Sequence, residues 1–150
     1  MKYMFWNVLV ILITSTLIAH AQEQKVIDEH LENLSGQYAE CTAYYELVYH
    51  AMDSANEMQT ANAYKGLANN AMFYSLLLAN EGHEKDIAVN VTNSRIDMYK
   101  KKMKQEINNR NENISLLINN YHYSCEKLMK DPPSEVNKLL KNAIKDSSKK

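Results

Sequence analysis

From Ile27 to Ala55 the apolar positions fall at Ile27, Leu31, Leu34, Tyr38, Cys41, Tyr45, Val48, Met52 and Ala55. The steps alternate four and three without a miss, so all nine lie along one face of a helix. A face this long has to be covered, and the partners that match its spacing are other helices. Ser35 and Gly36 lie within the stripe, and a glycine costs about 1 kcal/mol in a helix interior. The phase holds across them, so the reading is a kink or a fray and not a break. With only three glycines and two prolines, the chain is poorly equipped for a sandwich of short strands, a Gly-rich phosphate loop or a disordered polymer.

Three further stretches repeat the pattern. Polar residues from Asp53 to Thr60 mark a first reversal. A second helix then carries Tyr64, Leu67, Ala68, Ala71, Tyr74, Leu77 and Leu78, with Gly82 as its C-terminal cap candidate. Its small residues Ala61, Ala63, Ala68 and Ala71 favour close approach by a neighbouring helix. A third segment from about Glu84 puts Val89, Thr92, Ile96, Tyr99, Met103 and Ile107 on one face. Four asparagines between Asn108 and Asn113 suit a turn better than a helix interior. The pattern resumes at Ile114, Leu117, Ile118, Tyr121, Cys125 and Leu128, and Asp131-Pro132-Pro133 stops it. Ser134 is read as the cap of a short amphipathic piece with Val136, Leu139, Leu140 and Ile144, whose lysine-rich end suits a helix C-terminus.

The beginning of the chain has a different logic. Met1–Ala21 combines one early cation, Lys2, an apolar stretch from Tyr3 to Ile13 and the small-residue end Ala19-His20-Ala21. This is the layout of a secretory leader with cleavage before Gln22. Asn7, Thr14, Ser15 and Thr16 break the apolar stretch well short of the ~20 residues that span a bilayer, which disfavours an uncleaved anchor. No cysteine follows it to carry a lipid. Cleavage leaves about 129 residues, a single-domain length able to bury a core. Only Lys2 among the 17 basic residues is lost and all 18 acidic residues remain, so the mature formal charge is 16 − 18 = −2. That balance gives no electrostatic case for nucleic acid or an anionic membrane surface. The expected compartment is the periplasm or the medium, and no membrane contact is expected after cleavage.

Whether the chain turns at 108–113 decides between three helices and four, and the cysteines help. At ~1.5 Å per helical residue from Ile27, Cys41 sits at about 21 Å. With a reversal at 108–112, Cys125 returns to about 29 Å; without one it ends near 75 Å, beyond disulfide reach. Both cysteines lie on apolar seams, and an exported chain with two cysteines usually pairs them. The sequence therefore predicts an all-α, antiparallel up-down-up-down four-helix bundle, bridged by Cys41–Cys125. The expected organisation is a leader over 1–21, a bundle over 22–131, and a short helix with a frayed basic tail over 132–150.

Phosphate-loop, dinucleotide, His-Glu-x-x-His, Cys-x-x-Cys-His and Gly-x-Ser-x-Gly patterns are all absent. Glu46/His50 and His122/Glu126 have the i, i+4 spacing that puts two ligands on one helix face. His50, however, lies about 170° from the centre of its seam and His122 about 75° from its own, so the pairs do not converge inside a bundle. Methionines at helical spacing, such as Met52, Met72, Met98, Met103 and Met129, are read as core filler ahead of haem ligands. Asn90-Val91-Thr92 and Asn113-Ile114-Ser115 match the glycosylation acceptor pattern and are read as chance. No cofactor or metal is expected.

Tyrosine stands out, with ten against two phenylalanines and one tryptophan. Tyr38, Tyr45, Tyr99 and Tyr121 lie on seams. The flanking Tyr44, Tyr49 and Tyr123 are candidates for a partner-binding surface, since tyrosine is enriched where proteins recognise one another. The expectation is an exported, non-enzymatic helical protein that acts on an unidentified protein partner. The alternative is a carrier of a small molecule, non-covalent haem or metal in a pocket between helices.

Overall fold

The computed structural model describes the backbone of residues 2–147 and the side chains of Val26, of residues 28–142 and of residues 144–145. The protein is all-α: the described residues form five α-helices and one short 3-10 turn, and no strand occurs among them. The helices are α1 (Lys2–Ser54), α2 (Met58–Gly82), α3 (Lys85–Glu106), α4 (Ile114–Lys130) and α5 (Ser134–Ser147), with the 3-10 turn at Asn111–Asn113. Two compact units divide the chain, Met1–His30 and Leu31–Lys150. The first is helical along its described backbone; the side chains of the expected leader, 1–21, lie outside the described residues. Among the described residues no helix is long and apolar enough to cross a membrane.

Within the second unit α1 supplies the largest share of the core. Tyr38, Ala39, Cys41, Ala43, Tyr44, Tyr45, Leu47 and Val48 are all buried, so the helix is covered on every side and not along one stripe. Between Leu34 and Met52 the only ionisable carboxylates are Glu40 and Glu46, and a helix this poor in charge can be enclosed. Ser35 and Gly36 do not break it: the helix is continuous, and Gly36 faces the Tyr99 hydroxyl.

The three helices around α1 each meet it in a definite direction. Residue numbers run oppositely where α1 meets α2, through Ser35 with Ser75, Tyr38 with Tyr74 and Tyr44 with Tyr64. They rise together where α1 meets α3, through Glu32 with Arg95 and Glu40 with Lys102. They run oppositely again along α4, where Cys41 is bonded to Cys125 with Cα atoms 5.4 Å apart. The chain does reverse at 107–113, as the cysteine heights required.

Asparagine makes the reversals after α1 and after α3. Asn56, Asn108 and Asn109 are the non-glycine residues with positive φ among the described residues, at 60°, 54° and 56°. Asparagine tolerates this left-handed geometry better than other side chains with a Cβ. Asn113 then donates from Nδ2 to the Ile107 carbonyl at 3.1 Å, tying the turn across itself.

Three expectations need correction. Gly82 is not a left-handed cap: it is the last helical residue, and His83 ends the helix in an extended conformation. Val89 is exposed and Ala88 takes the buried place, so the α3 face runs Ala88, Thr92, Ile96, Tyr99, Met103. Ser134 does not precede α5 as a cap; it is the first helical residue, and its hydroxyl donates to Glu135 Oε2 at 3.1 Å. Helix α5 packs on α2, and Val136 is fully buried in the common core.

Candidate functional site

The richest concentration of chemically active groups lies where α1 meets α4. Antiparallel helices with matched pitch bring residues together in pairs whose numbers share one sum, and three consecutive pairs do so here. The Tyr38 hydroxyl donates to the Leu128 carbonyl at 3.3 Å. One turn on, Cys41 is bridged to Cys125. After another turn, the Tyr44 hydroxyl lies 3.4 Å from His122 Nδ1. The spacing of three on each helix puts one hydrogen bond on either side of the covalent bond.

Aromatic rings fill the space around this ladder. Tyr44 lies 5.0 Å from Tyr45, 6.3 Å edge-on to Tyr64 and 6.1 Å stacked with Tyr121, centroid to centroid. Tyr38 meets Tyr74 edge-on at 5.3 Å. Such pairs contribute roughly 0.5–1.5 kcal/mol each beyond their area. Burial dominates the phenol chemistry: it raises Tyr38 and Tyr44 well above the ordinary tyrosine value and pushes Tyr45 up to about 12. None of these phenols ionises near neutral pH, so they act as neutral donors.

The outer end of the ladder carries charge. His122 and Glu126 are about two-fifths exposed, with Nε2 and Oε2 4.0 Å apart, and Lys130 holds Glu126 at 2.8 Å. Lys130 draws the Glu126 carboxyl below its usual range. A second charged group bridges α1, α3 and α4. Lys102 Nζ lies 3.9 Å from both Glu40 and Glu106, and the Tyr121 hydroxyl donates to Glu106 at 2.7 Å. Burial raises the Glu40 carboxyl and the nearby Lys102 offsets only part of that. Tyr121 is raised first by burial and then by Glu106.

Tyr44, Tyr49 and Tyr123 were expected to share a partner surface, and the structure separates them. Tyr44 is 0 % exposed and cannot meet a partner. The expectation failed because it assumed a one-sided helix, whereas α1 is enclosed by neighbours on both flanks of its stripe. Tyr49 is half-buried against His50, with Lys65 5.6 Å over its ring. Tyr123 is 77 % exposed on the outer side of α4. His50 is exposed, and His122 faces Tyr44, so the histidine pairing considered for a metal does not form. Among the described residues no three His, Cys, Asp or Glu side chains gather as a metal ion would require.

Two polar features went unread in the sequence. Ser35 and Ser75 exchange hydrogen bonds across α1 and α2, each hydroxyl donating to the other's carbonyl at 3.0 and 2.9 Å. Arg95 pairs with Glu32 and reaches the Ser35 hydroxyl at 3.4 Å, while His83 approaches Glu32 at 3.7 Å. Only the serines on an otherwise apolar stretch signalled the first. No local pattern signalled the second, since it joins three separate elements.

No known protein family, curated protein or solved structure matches this chain.

Proposed function

We propose that this chain is exported, loses residues 1–21, and works as a non-enzymatic helical-bundle protein that engages a protein partner in the periplasm or outside the cell. In this reading α1 to α4 form an antiparallel up-down-up-down bundle, and α5 closes against α2. The observation that carries the proposal is the Cys41–Cys125 bridge, which closes a separation of 84 residues. Disulfides of this structural kind persist in oxidising compartments, and the leader pattern before Gln22 supplies the route there. The interaction reading draws its support from Tyr123, a large aromatic left 77 % exposed on the rim of α4. The described tyrosine and histidine groups nearby bond one another and point to structure before catalysis.

The test is production of the full chain in a bacterium with a periplasm. Intact mass should match a chain that starts at Gln22 and lacks two hydrogens for the bridge. Recovery of protein retaining Met1–Ala21, with two titratable thiols, overturns the export reading. Cross-linking in intact cells addresses the partner. A cross-linked species lost on Tyr123→Ser and kept on Lys141→Ala supports it, and a set unchanged by Tyr123→Ser overturns it. A Soret band or stoichiometric metal in the purified protein would replace this reading with that of a carrier.

A further inference from the structure

The two flanks of α3 are not equally covered. Along one flank α2 packs extensively; on the other α4 touches α3 only slightly. Near its start α4 is held to α3 through Tyr121 and Glu106. It has only 17 residues against the 22 of α3, and after Lys130 the Asp131-Pro132-Pro133 step sends the chain to α2. The middle of α3 is thereby left with an open, shallow, largely apolar patch formed by its own Asn90, Val91, Ser94, Arg95 and Met98. One turn before it lies Ile87. Ile87 and Met98 are 48 % and 57 % exposed, at the two ends of a stripe stepping 87, 91, 94, 98. That spacing of four, three and four is the one that another helix fills.

We propose that the helix docking there is α3 of a second copy of this chain, antiparallel and related by a two-fold axis through the helix midpoint near Thr92 and Asn93. Such an axis sets residues opposite one another in pairs with a common sum. Ile87 then meets the second copy's Met98, and Val91 meets its Ser94, a larger side chain against a smaller one. Charge agrees with this direction and opposes the parallel one. The charges that flank this stripe are Glu84 at the start of α3 and Lys101 toward its end, while Lys85, Asp86, Asp97 and Lys104 stand off that face. An antiparallel pair sets Glu84 at the level of the second copy's Lys101, twice by symmetry. A parallel pair would set acid on acid and base on base, which is repulsive. The apolar contact spans about 17 Å of helix, so the interface is smaller than a permanent dimer uses. The dimer is therefore weak and concentration-dependent. It is independent of the partner surface proposed at Tyr123, which lies on α4.

Sedimentation equilibrium of the disulfide-bonded full chain, from about 1 µM to about 1 mM, reads this out. A monomer–dimer equilibrium is expected within that range. Met98→Glu places an unpaired charge in the contact and should weaken the dimer at least about tenfold. Glu84→Lys should weaken it by a smaller factor, and adding Lys101→Glu to the same chain should restore it. All three positions are exposed, so unchanged helical circular dichroism and melting are expected for each variant. A chain that stays monomeric throughout overturns the proposal. So does association that survives Met98→Glu, or a Glu84→Lys defect that Lys101→Glu does not rescue.

Discussion

Helix α1 makes two long seams, and they are built on opposite principles. Against α2 it presents a small residue at one level and rings at others: Tyr38 meets Tyr74 and Tyr44 meets Tyr64. Ser35 faces a helix whose buried positions include Ala68, Ala71 and Ser75, and Ser35 and Ser75 exchange hydrogen bonds side chain to backbone. Against α4 it presents tyrosines and a cysteine, with rings filling the gap and one covalent bond in the middle. Around Ser35 and Ser75 the first seam gains from closeness, because small residues bring backbone atoms into contact. The second gains from bulk and cross-linking, because α4 returns to α1 only after a loop of 84 residues. Closing so long a loop costs the unfolded chain much entropy once it is bonded, worth roughly 4 kcal/mol on the chain-entropy account. The contrast also separates their sensitivities: reductant should act on the α4 seam and not on the α2 seam.

Alkaline pH should give the largest effect. The folded state raises Tyr38, Tyr44 and Tyr45 above the ordinary value of 10, so each favours its protonated form when folded. Their contribution to stability is complete below pH 10 and is lost as pH rises through the folded values. For Tyr45 that window runs from pH 10 to about 12, worth on the order of 3 kcal/mol. Urea unfolding from pH 8 upward should show a steep fall above pH 10. In the Tyr44→Phe/Tyr45→Phe variant the fall should be shallower; an identical slope would disconnect these phenols from the effect.

Breaking the bridge comes next. Cys41→Ser and Cys125→Ser should each lower stability by about 2–4 kcal/mol, and the double variant should be little worse than either. Reductant should cost the wild type a similar amount and leave these variants unchanged. Denaturing thiol titration without reductant should find none free.

The small-residue seam is probed by overfilling. Ala71 is fully buried, and Ala71→Leu should cost about 1–3 kcal/mol in oxidised and reduced protein alike. Ala63 lies on the exposed side of the same helix, and Ala63→Leu should stay within about 0.5 kcal/mol. Equal costs at the two sites, in chemical denaturation, would mean that α2 does not approach α1 through its small residues.

Single hydrogen bonds compare the seams on equal terms. Ser75→Ala removes the hydroxyl that donates to Ser35, and Tyr44→Phe removes the one facing His122. Each should cost about 1 kcal/mol. Only Tyr44→Phe should move the NMR signals of the His122 ring, which faces the Tyr44 hydroxyl.

The smallest effect lies in the turn that sends α4 back to α1. Asn109 has φ of 56°, and Asn109→Gly should be neutral or stabilising by a few tenths of a kcal/mol. A β-branched Asn109→Val should instead destabilise by about 1–2 kcal/mol. Thermal melts of the two variants in opposite directions are the expected outcome.

Much of the architecture was legible from local rules. The alternating steps of four and three gave the helices, because that spacing is the geometry of 3.6 residues per turn. The asparagine run at 108–113 gave the reversal, because asparagine accepts left-handed backbone. The pairing of Cys41 with Cys125 followed from helix rise, from the seam positions of both cysteines and from the expected export, since length along a helix is a property of residue count. Tyr44, the Ser35–Ser75 exchange and the Arg95–Glu32–His83 group were not legible. A stripe says which face of α1 needs a neighbour first, and nothing about how many neighbours finally enclose it. That number depends on where α3 and α4 come to rest, and it turned an expected surface tyrosine into a core one. α5 makes the same point: its amphipathic pattern was plain, yet only packing decided that Val136 would fill the common core on α2. Local spacing is fixed by the chain's own covalent geometry, whereas enclosure is fixed by residues tens of positions away, so the sequence determined the helices and the tertiary structure decided what they leave exposed.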